Sequence, residues 1–250
     1  MSLTALDANP QEDLRVRYRE MRPGWEPAGT IYRRLVVQAA PVAGRVLDVG
    51  CGRKGFPLDR APEQLRLFGV DPDESAVACH EILSLRAAAH GERLPFTDGS
   101  FDLVCCGWVL EHVDRPRGFV SEICRVLAPG GRFAFVTPNA RNPVTWMIRG
   151  IPNRLHPPIM RLLQRRHGHD TYPVRYRMNT PSAIEQIMTD AGFERERLVV
   201  NGDPTYAAIG PRSLRLAAGA ERLLDIPGLR GARIHLIGVY RKPLGSAGGS

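Results

Sequence analysis

Apolar residues come along this chain in short runs separated by stretches of helical spacing, the alternation expected of a mostly parallel sheet covered on both faces. Strand signals fall at Arg45 to Val49, Leu67 to Val70, Phe101 to Cys106, Arg132 to Val136, Leu198 to Val200 and Ile234 to Tyr240. Between them, Glu74 to Leu83, Pro116 to Leu127, Pro181 to Ala191 and Pro211 to Leu224 are patterned as helices, and Thr180 ahead of Pro181 has the chemistry of an N-cap. Ile31, Leu35 and Val36 recur at helical spacing, so residues 1–40 read as an N-terminal helical segment. From about Ala140 to Asn179 prolines, arginines and histidines break this rhythm, which marks 141–180 as a lid or insertion. The glycine and serine tail, 245–250, lies outside the fold, leaving a single domain over 1–244.

Composition narrows the class. With 43% hydrophobic and 24% charged residues the chain is an ordinary globular one, and 250 residues suffice for one large core. The net charge of +8 is concentrated: Arg141 to Arg177 holds eight arginines against one acid, Asp170. Such a segment suits RNA phosphates, an anionic small molecule or an acidic lipid surface. The five cysteines form no CxxC pair, which argues for reduced thiols and against a zinc site. His167, His169 and Asp170 resemble a metal-ligand set but lack a distant partner to close a cage, so no metal is expected. Neither a signal peptide nor a spanning apolar run is visible, and a cytoplasmic protein is expected.

The chemistry gathers around Val46-Leu47-Asp48-Val49-Gly50-Cys51-Gly52-Arg53-Lys54-Gly55, where a buried strand ends in glycines that let a ligand approach the backbone. Gly50, Gly52 and Gly55 match a dinucleotide fingerprint, and Asp71 closes the next strand where an acid would hold a ribose. Pyrophosphate, however, needs a helix launched from the glycines, and Pro57 and Pro62 oppose one. Asp48 would also repel pyrophosphate, yet suits a ligand carrying an ammonium and a sulfonium.

Taken in order, Leu47-Asp48-Val49-Gly50-Cys51-Gly52, Gly69-Val70-Asp71, Leu94-Pro95-Phe96, Asp98-Gly99-Ser100-Phe101-Asp102, Leu110-Glu111-His112-Val113 and Leu127-Ala128-Pro129-Gly130-Gly131 resemble the signature of class I S-adenosylmethionine-dependent methyltransferases. The similarity is nearest to the branch containing the quinone-biosynthesis enzymes, and spans roughly Arg45 to Asn139. It implies a Rossmann-like, doubly wound, seven-stranded sheet and S-adenosyl-L-methionine as cofactor. It further implies that Asp48, Gly50, Cys51 and Gly52 surround the methionyl part, that Asp71, followed by Pro72, takes the ribose diol, and that His90, Gly91 and Glu92 lie at the adenine. Two positions depart from the family pattern: Arg53-Lys54 puts an extra residue before Gly55, and His90-Gly91 stands where an Asp and a small residue are common.

Several assignments stay open at this level. Asp48 could brace the loop rather than touch ligand, Asp71 could cap a helix, His90 could be an exposed loop residue, and Cys51 favours packing. His112 is the best-placed general base, with a shared pocket or helix-start role as its alternative. Trp108 could wall the pocket or pack in the core, and Tyr172, Arg175 and Tyr176 could line it beneath a lid that also carries His156, or merely cap the sheet. Gly107-Trp108-Val109 lacks the Asn-Pro-Pro-Tyr element of related nucleic-acid methyltransferases, so nucleic acid is disfavoured as a partner. The expected acceptor is a small-molecule or lipid-like metabolite. The competing readings are an RNA methyltransferase acting through Arg165 and Arg166, a non-catalytic cofactor-binding protein and, more distantly, a nicotinamide enzyme. Pro211 to Leu224 mixes leucines and arginines as either a membrane-surface helix or an ordinary covering helix would, so peripheral membrane contact stays open, as does the oligomeric state.

Overall fold

The computed structural model describes residues 10–53, 57–58, 64–78, 80, 83–145 and 173–244. Two helices, α1 (Pro10–Met21) and α2 (Ala28–Ala39), precede strand β1 (Gly44–Val49), followed by β2 (Leu65–Asp71), α3 (Glu74–Ala78), β3 (Leu85–Ala88) and β4 (Phe101–Gly107). Then come α4 (Pro116–Val126), β5 (Leu127–Pro138), α5 (Pro181–Asp190), β6 (Glu194–Asn201), α6 (Pro211–Leu223) and β7 (His235–Arg241), with a short 3-10 turn at Pro204–Ala207. The seven strands form one sheet in the order β3-β2-β1-β4-β5-β7-β6, parallel except for β7, which runs antiparallel to both neighbours. This is the Rossmann-like, doubly wound architecture expected from the sequence. Most of 141–180 and all of 245–250 lie outside the described residues, as do Lys54, Gly55, His156, Arg165, Arg166, His167, His169, Asp170 and Tyr172.

Alternation along the strands divides the core. In β4, Leu103 and Cys105 join Ile31, Leu35 and Val36 of α2 on one face, while Val104 and Cys106 join Phe119, Ile123 and Ile184 of α4 and α5 on the other. Burial on both faces explains why β4 reads as a continuous apolar run rather than an alternating one. Each apolar side chain that α4 buries contributes about 1.5–3 kcal/mol. Thr180 caps α5 as expected, its Oγ1 accepting from the Ala183 N–H at 3.2 Å.

Successive connections leave β1 toward β2 and β3 on one side, and β4 and β5 on the other, so the crossover direction reverses between β1 and β4. The carboxyl ends of those two strands therefore flank a crevice, the usual place for a ligand in an open parallel sheet. Because β7 is reversed, its first residue, His235, pairs with Pro138 at the end of β5 and reaches the same edge. No helix among the described residues is long and apolar enough to cross a membrane.

Candidate functional site

A cavity of about 1160 Å³ opens at this edge. It brings together Gly50, Gly52, Asp71, Pro72, His90, Gly91, Glu92 and His112, eight of the ten residues that the sequence put at the cofactor or as general base, and adds Trp108, Arg175 and Tyr176. Volumes of about 300–1,000 Å³ serve for single small ligands, so this space can hold a cofactor with an acceptor beside it.

The glycine loop is shaped by its own hydrogen bonds. The N–H groups of Gly50 and Cys51 both donate to the Val70 carbonyl, at 2.7 and 3.1 Å, which folds the chain back over β2. Gly50 has φ +79°, and a Cβ there would lie 2.3 Å from Val109 Cγ2. The left-handed backbone costs an L-residue about 1–2 kcal/mol and overpacking a stiff valine about 1–3 kcal/mol. Gly50→Ala should accordingly lower the melting temperature by roughly 5–15 °C, measured by scanning fluorimetry. An unchanged melting temperature would show that the loop is not held as described.

Asp71, at the tip of β2, is almost fully buried, yet its carboxylate reaches the cavity. Oδ2 accepts from the Gly52 N–H at 3.0 Å and Oδ1 from the Asp73 N–H at 2.9 Å. A carboxylate offers about four lone-pair directions, so these two bonds aim the group and leave further capacity for a pair of hydroxyls. Capping of α3 falls instead to Asp73, whose Oδ1 accepts from Ser75 N–H, Ser75 Oγ–H and Ala76 N–H. These bonds, with Arg53 close by, hold the Asp73 carboxyl below its usual range. The capping alternative for Asp71 is therefore corrected to Asp73, two residues on.

Asp48 and Cys51 sit behind the cavity wall rather than in its lining. Strand alternation puts Asp48 on the face of Val46, toward α2 and beneath the glycine loop. Burial, and then the nearby Asp71, push its carboxyl up to about 7. Cys51 fills the space against Gly69, and burial raises its thiol to about 12, which makes it a packing residue without nucleophilic character. The Cys51 carbonyl accepts from His80 Nε2 at 3.0 Å.

On the far side of Asp71, Gly91 lies against Phe119, where a Cβ would come within 2.4 Å of the ring. His90 flanks the same floor. The Glu92 carboxylate is engaged by Arg115, through its backbone N–H at 3.1 Å and its Nε at 2.6 Å, and so ties this loop to the start of α4.

The other half of the cavity is aromatic. Trp108 follows β4 with φ +61°, held by its N–H to the Val136 carbonyl, and its ring meets His235 edge-on at 5.2 Å. His235 in turn meets Tyr206, on the 3-10 turn, at 5.1 Å. Tyr176 also has positive φ, +52°, and its N–H and that of Arg175 both donate to the Glu111 carbonyl. Bulky residues in the left-handed region are costly and persist where the surroundings over-determine them; both line this cavity. His112 Nδ1 lies 3.1 Å from the Pro173 carbonyl, which can only accept, so Nδ1 carries the proton and Nε2 the lone pair. Burial pulls the His112 pKa below its ordinary value, partly offset by that hydrogen bond, and favours the neutral ring.

Tyr206, Ile234 and His235 escaped the sequence reading, which gave Glu111 no role of its own. Glu111 is buried on the cavity wall, accepts from Thr137 Oγ1 at 2.9 Å and is pushed by burial up to about 7. Asn179, fully buried, lies 2.6 Å from the same hydroxyl. The signal available for His235 was a histidine opening an apolar strand, which tells nothing until the strand is known to run in reverse.

Raised carboxyls set the pH dependence of stability. Asp48, Glu111 and Glu221 all stand near 7, each raised first by burial. Between their unfolded values and about 7 the native state binds more protons than the unfolded chain, so stability is full below that window and lost as pH rises through it. His112 acts in the opposite sense below its ordinary value. The ligand-free protein should melt several degrees higher near pH 5.5 than near pH 8, and a melting temperature that rises with pH would contradict this.

Residues 47–135 match the family model described as "Methyltransferase domain". A ubiquinone biosynthesis O-methyltransferase of Thiobacillus denitrificans is 31% identical over 181 residues, covering 66% of this chain and 71% of that protein. A "Probable S-adenosylmethionine-dependent methyltransferase" of Mycolicibacterium smegmatis is 42% identical over 114 residues, 44% of this chain and 43% of the relative. A second ubiquinone biosynthesis O-methyltransferase, from Psychrobacter arcticus, is 30% identical over 62% of this chain, and the chain spans 61% of it. Among solved structures, geranyl diphosphate C-methyltransferase from Streptomyces coelicolor, in complex with S-adenosyl-L-homocysteine, superposes with a TM-score of 0.58 at 14% identity, covering 96% of this chain and 84% of its own. The [4+2]-cyclase SpnF gives a TM-score of 0.56 at 21% identity over 88% of this chain and 87% of its own. At these identities the structures speak for the fold alone, and their different names show that the fold does not decide the reaction.

Proposed function

We propose that this chain, which belongs to the class I S-adenosylmethionine-dependent methyltransferases, transfers a methyl group to a small-molecule or lipid-like metabolite by in-line displacement. The observation that carries the proposal is one cavity lined on one side by Gly50, Gly52, Asp71 and His90 and on the other by Trp108, His112, Tyr176, Tyr206 and His235. When bound, S-adenosylmethionine supplies a methyl group on a sulfonium sulfur, and with it the leaving group.

The chain's own residues orient, desolvate and deprotonate. Asp71 holds the ribose diol through its spare lone pairs, and Gly50 and Gly52 admit the methionyl part close to the backbone. His90 and Gly91 border the adenine. Asp48 acts from behind, bracing the loop. Trp108, Tyr206 and Tyr176 supply flat apolar walls that align the acceptor and exclude water. For an acceptor that must lose a proton, His112 takes it on Nε2. The names of the two ubiquinone biosynthesis O-methyltransferases support an oxygen on a lipid-like metabolite as the acceptor.

The test is incubation with methyl-labelled S-adenosylmethionine and fractionated metabolite pools. Label in a low-molecular-weight or organic-extractable fraction, lost with Asp71→Ala, is expected. Cofactor binding without transfer to any pool under single-turnover conditions would contradict the proposal and favour a non-catalytic binding protein. Transfer confined to RNA, and sensitive to Arg165 and Arg166, would contradict the acceptor.

A further inference from the structure

Helix α6 buries Leu214 and Ala218 against α1 and turns Leu216 and Leu223 outward, 78% and 61% exposed. These two leucines are seven residues apart and so share one face. Ile209 before the helix and Ile226 and Leu229 after it extend an exposed apolar strip, 80%, 51% and 46% accessible. Arg212, Arg215, Arg222 and Arg230 are exposed among them. Of the two acids of this stretch, Glu221 is buried beside Arg233, and Asp225, half-exposed just after the helix, is neutralised by pairing with Arg22 and Arg233. The outer surface of α6 is thus apolar and purely cationic, whereas the exposed positions of α1 mix Glu12, Asp13 and Glu20 with Arg17 and Arg19.

We propose that the outer face of Ile209 to Arg230 docks on an anionic lipid surface, from which the acceptor reaches the cavity. Leucine and isoleucine side chains enter the headgroup boundary while flanking arginines pair with lipid phosphates, a combination that a neutral or basic partner would not match. The strip adjoins the site along the chain: Tyr206 lies three residues ahead of it, and Ile234 and His235 come shortly after it. Asn139 and Asn142 hold the intervening turn, donating to the carbonyls of Gly231, Arg233 and Ala232. The inference rests on the lipid-like acceptor reading and deepens it.

Flotation of the full chain with vesicles tests it, comparing phosphatidylcholine alone with phosphatidylcholine mixed with phosphatidylglycerol. Binding to the mixed vesicles only, weakened by salt, is expected. The exposed pair Leu216→Ser with Leu223→Ser should reduce it by about tenfold or more. Each of Arg212→Gln, Arg215→Gln and Arg222→Gln should reduce it by about fivefold. Equal binding to both vesicle types, or no effect of the leucine pair, would overturn the proposal. So would a dimer in sedimentation that the leucine pair dissolves, because the strip would then be a self-interface. S-adenosylhomocysteine binding and label transfer without vesicles, measured on the same variants, should remain at wild-type level. Their loss in the wild type would fail the methyltransferase reading and leave the surface standing.

Discussion

Asp71→Ala is expected to weaken S-adenosylhomocysteine binding by about a hundredfold or more. A carboxylate that accepts hydrogen bonds from two hydroxyls makes charge-assisted bonds, each contributing about 1.5–3 kcal/mol. The substitution also releases the N–H groups of Gly52 and Asp73, which Asp71 now holds, so the glycine loop loses its anchor along with the ligand. Asp71→Asn separates the two effects: it keeps the shape and one acceptor, and should fall between wild type and alanine. Asp73→Ala, which removes the α3 cap but no proposed ligand contact, should leave affinity within a few-fold of wild type. Equal losses from Asp71→Ala and Asp73→Ala would mean that the region matters only for folding.

The second large effect is expected at His112. With Nδ1 fixed by the Pro173 carbonyl and the ring neutral, His112→Gln should slow transfer to a proton-bearing acceptor by about 10²–10⁴-fold while S-adenosylhomocysteine binding is retained. The wild-type rate should fall as pH drops through a histidine value lower than the ordinary one, because only the neutral ring takes a proton. That acid limb should vanish in the variant. A purely structural role would lower the rate without removing the limb, so the pH profile is the deciding readout. Persistence of both rate and profile would remove His112 from the reaction.

How far the sequence could be read depended on where hydrophobic periodicity was present. The buried strands β1, β2, β4, β5 and β7 announced themselves because apolar side chains face both layers of helices. β3 did not: Leu85–Ala88 is an edge strand with mostly exposed side chains, held by its register with β2 rather than by burial. For β6 only Leu198 to Val200 was visible, since its first half, Glu194 to Arg197, is charged and exposed and pairs with β7 through an irregular register. The cavity wall proposed for the cofactor was legible as a cluster because it lies on local motifs at the ends of β1 and β2. Strand alternation alone could have placed Asp48 behind the loop. The half proposed for the acceptor is assembled from residues far apart in the chain: the reversed β7 brings His235 to Trp108 and Tyr206, and the Glu111 carbonyl holds Tyr176. No local pattern encodes that meeting.

The cavity, the reserved lone pairs of Asp71 and the family relationship converge on one ligand, so the most direct test is calorimetric titration of the wild-type chain with S-adenosylhomocysteine, beside an NAD control. Saturable micromolar binding of S-adenosylhomocysteine with none of NAD is predicted. Absence of binding, or preference for NAD, would contradict the account and return the glycine loop to a dinucleotide reading.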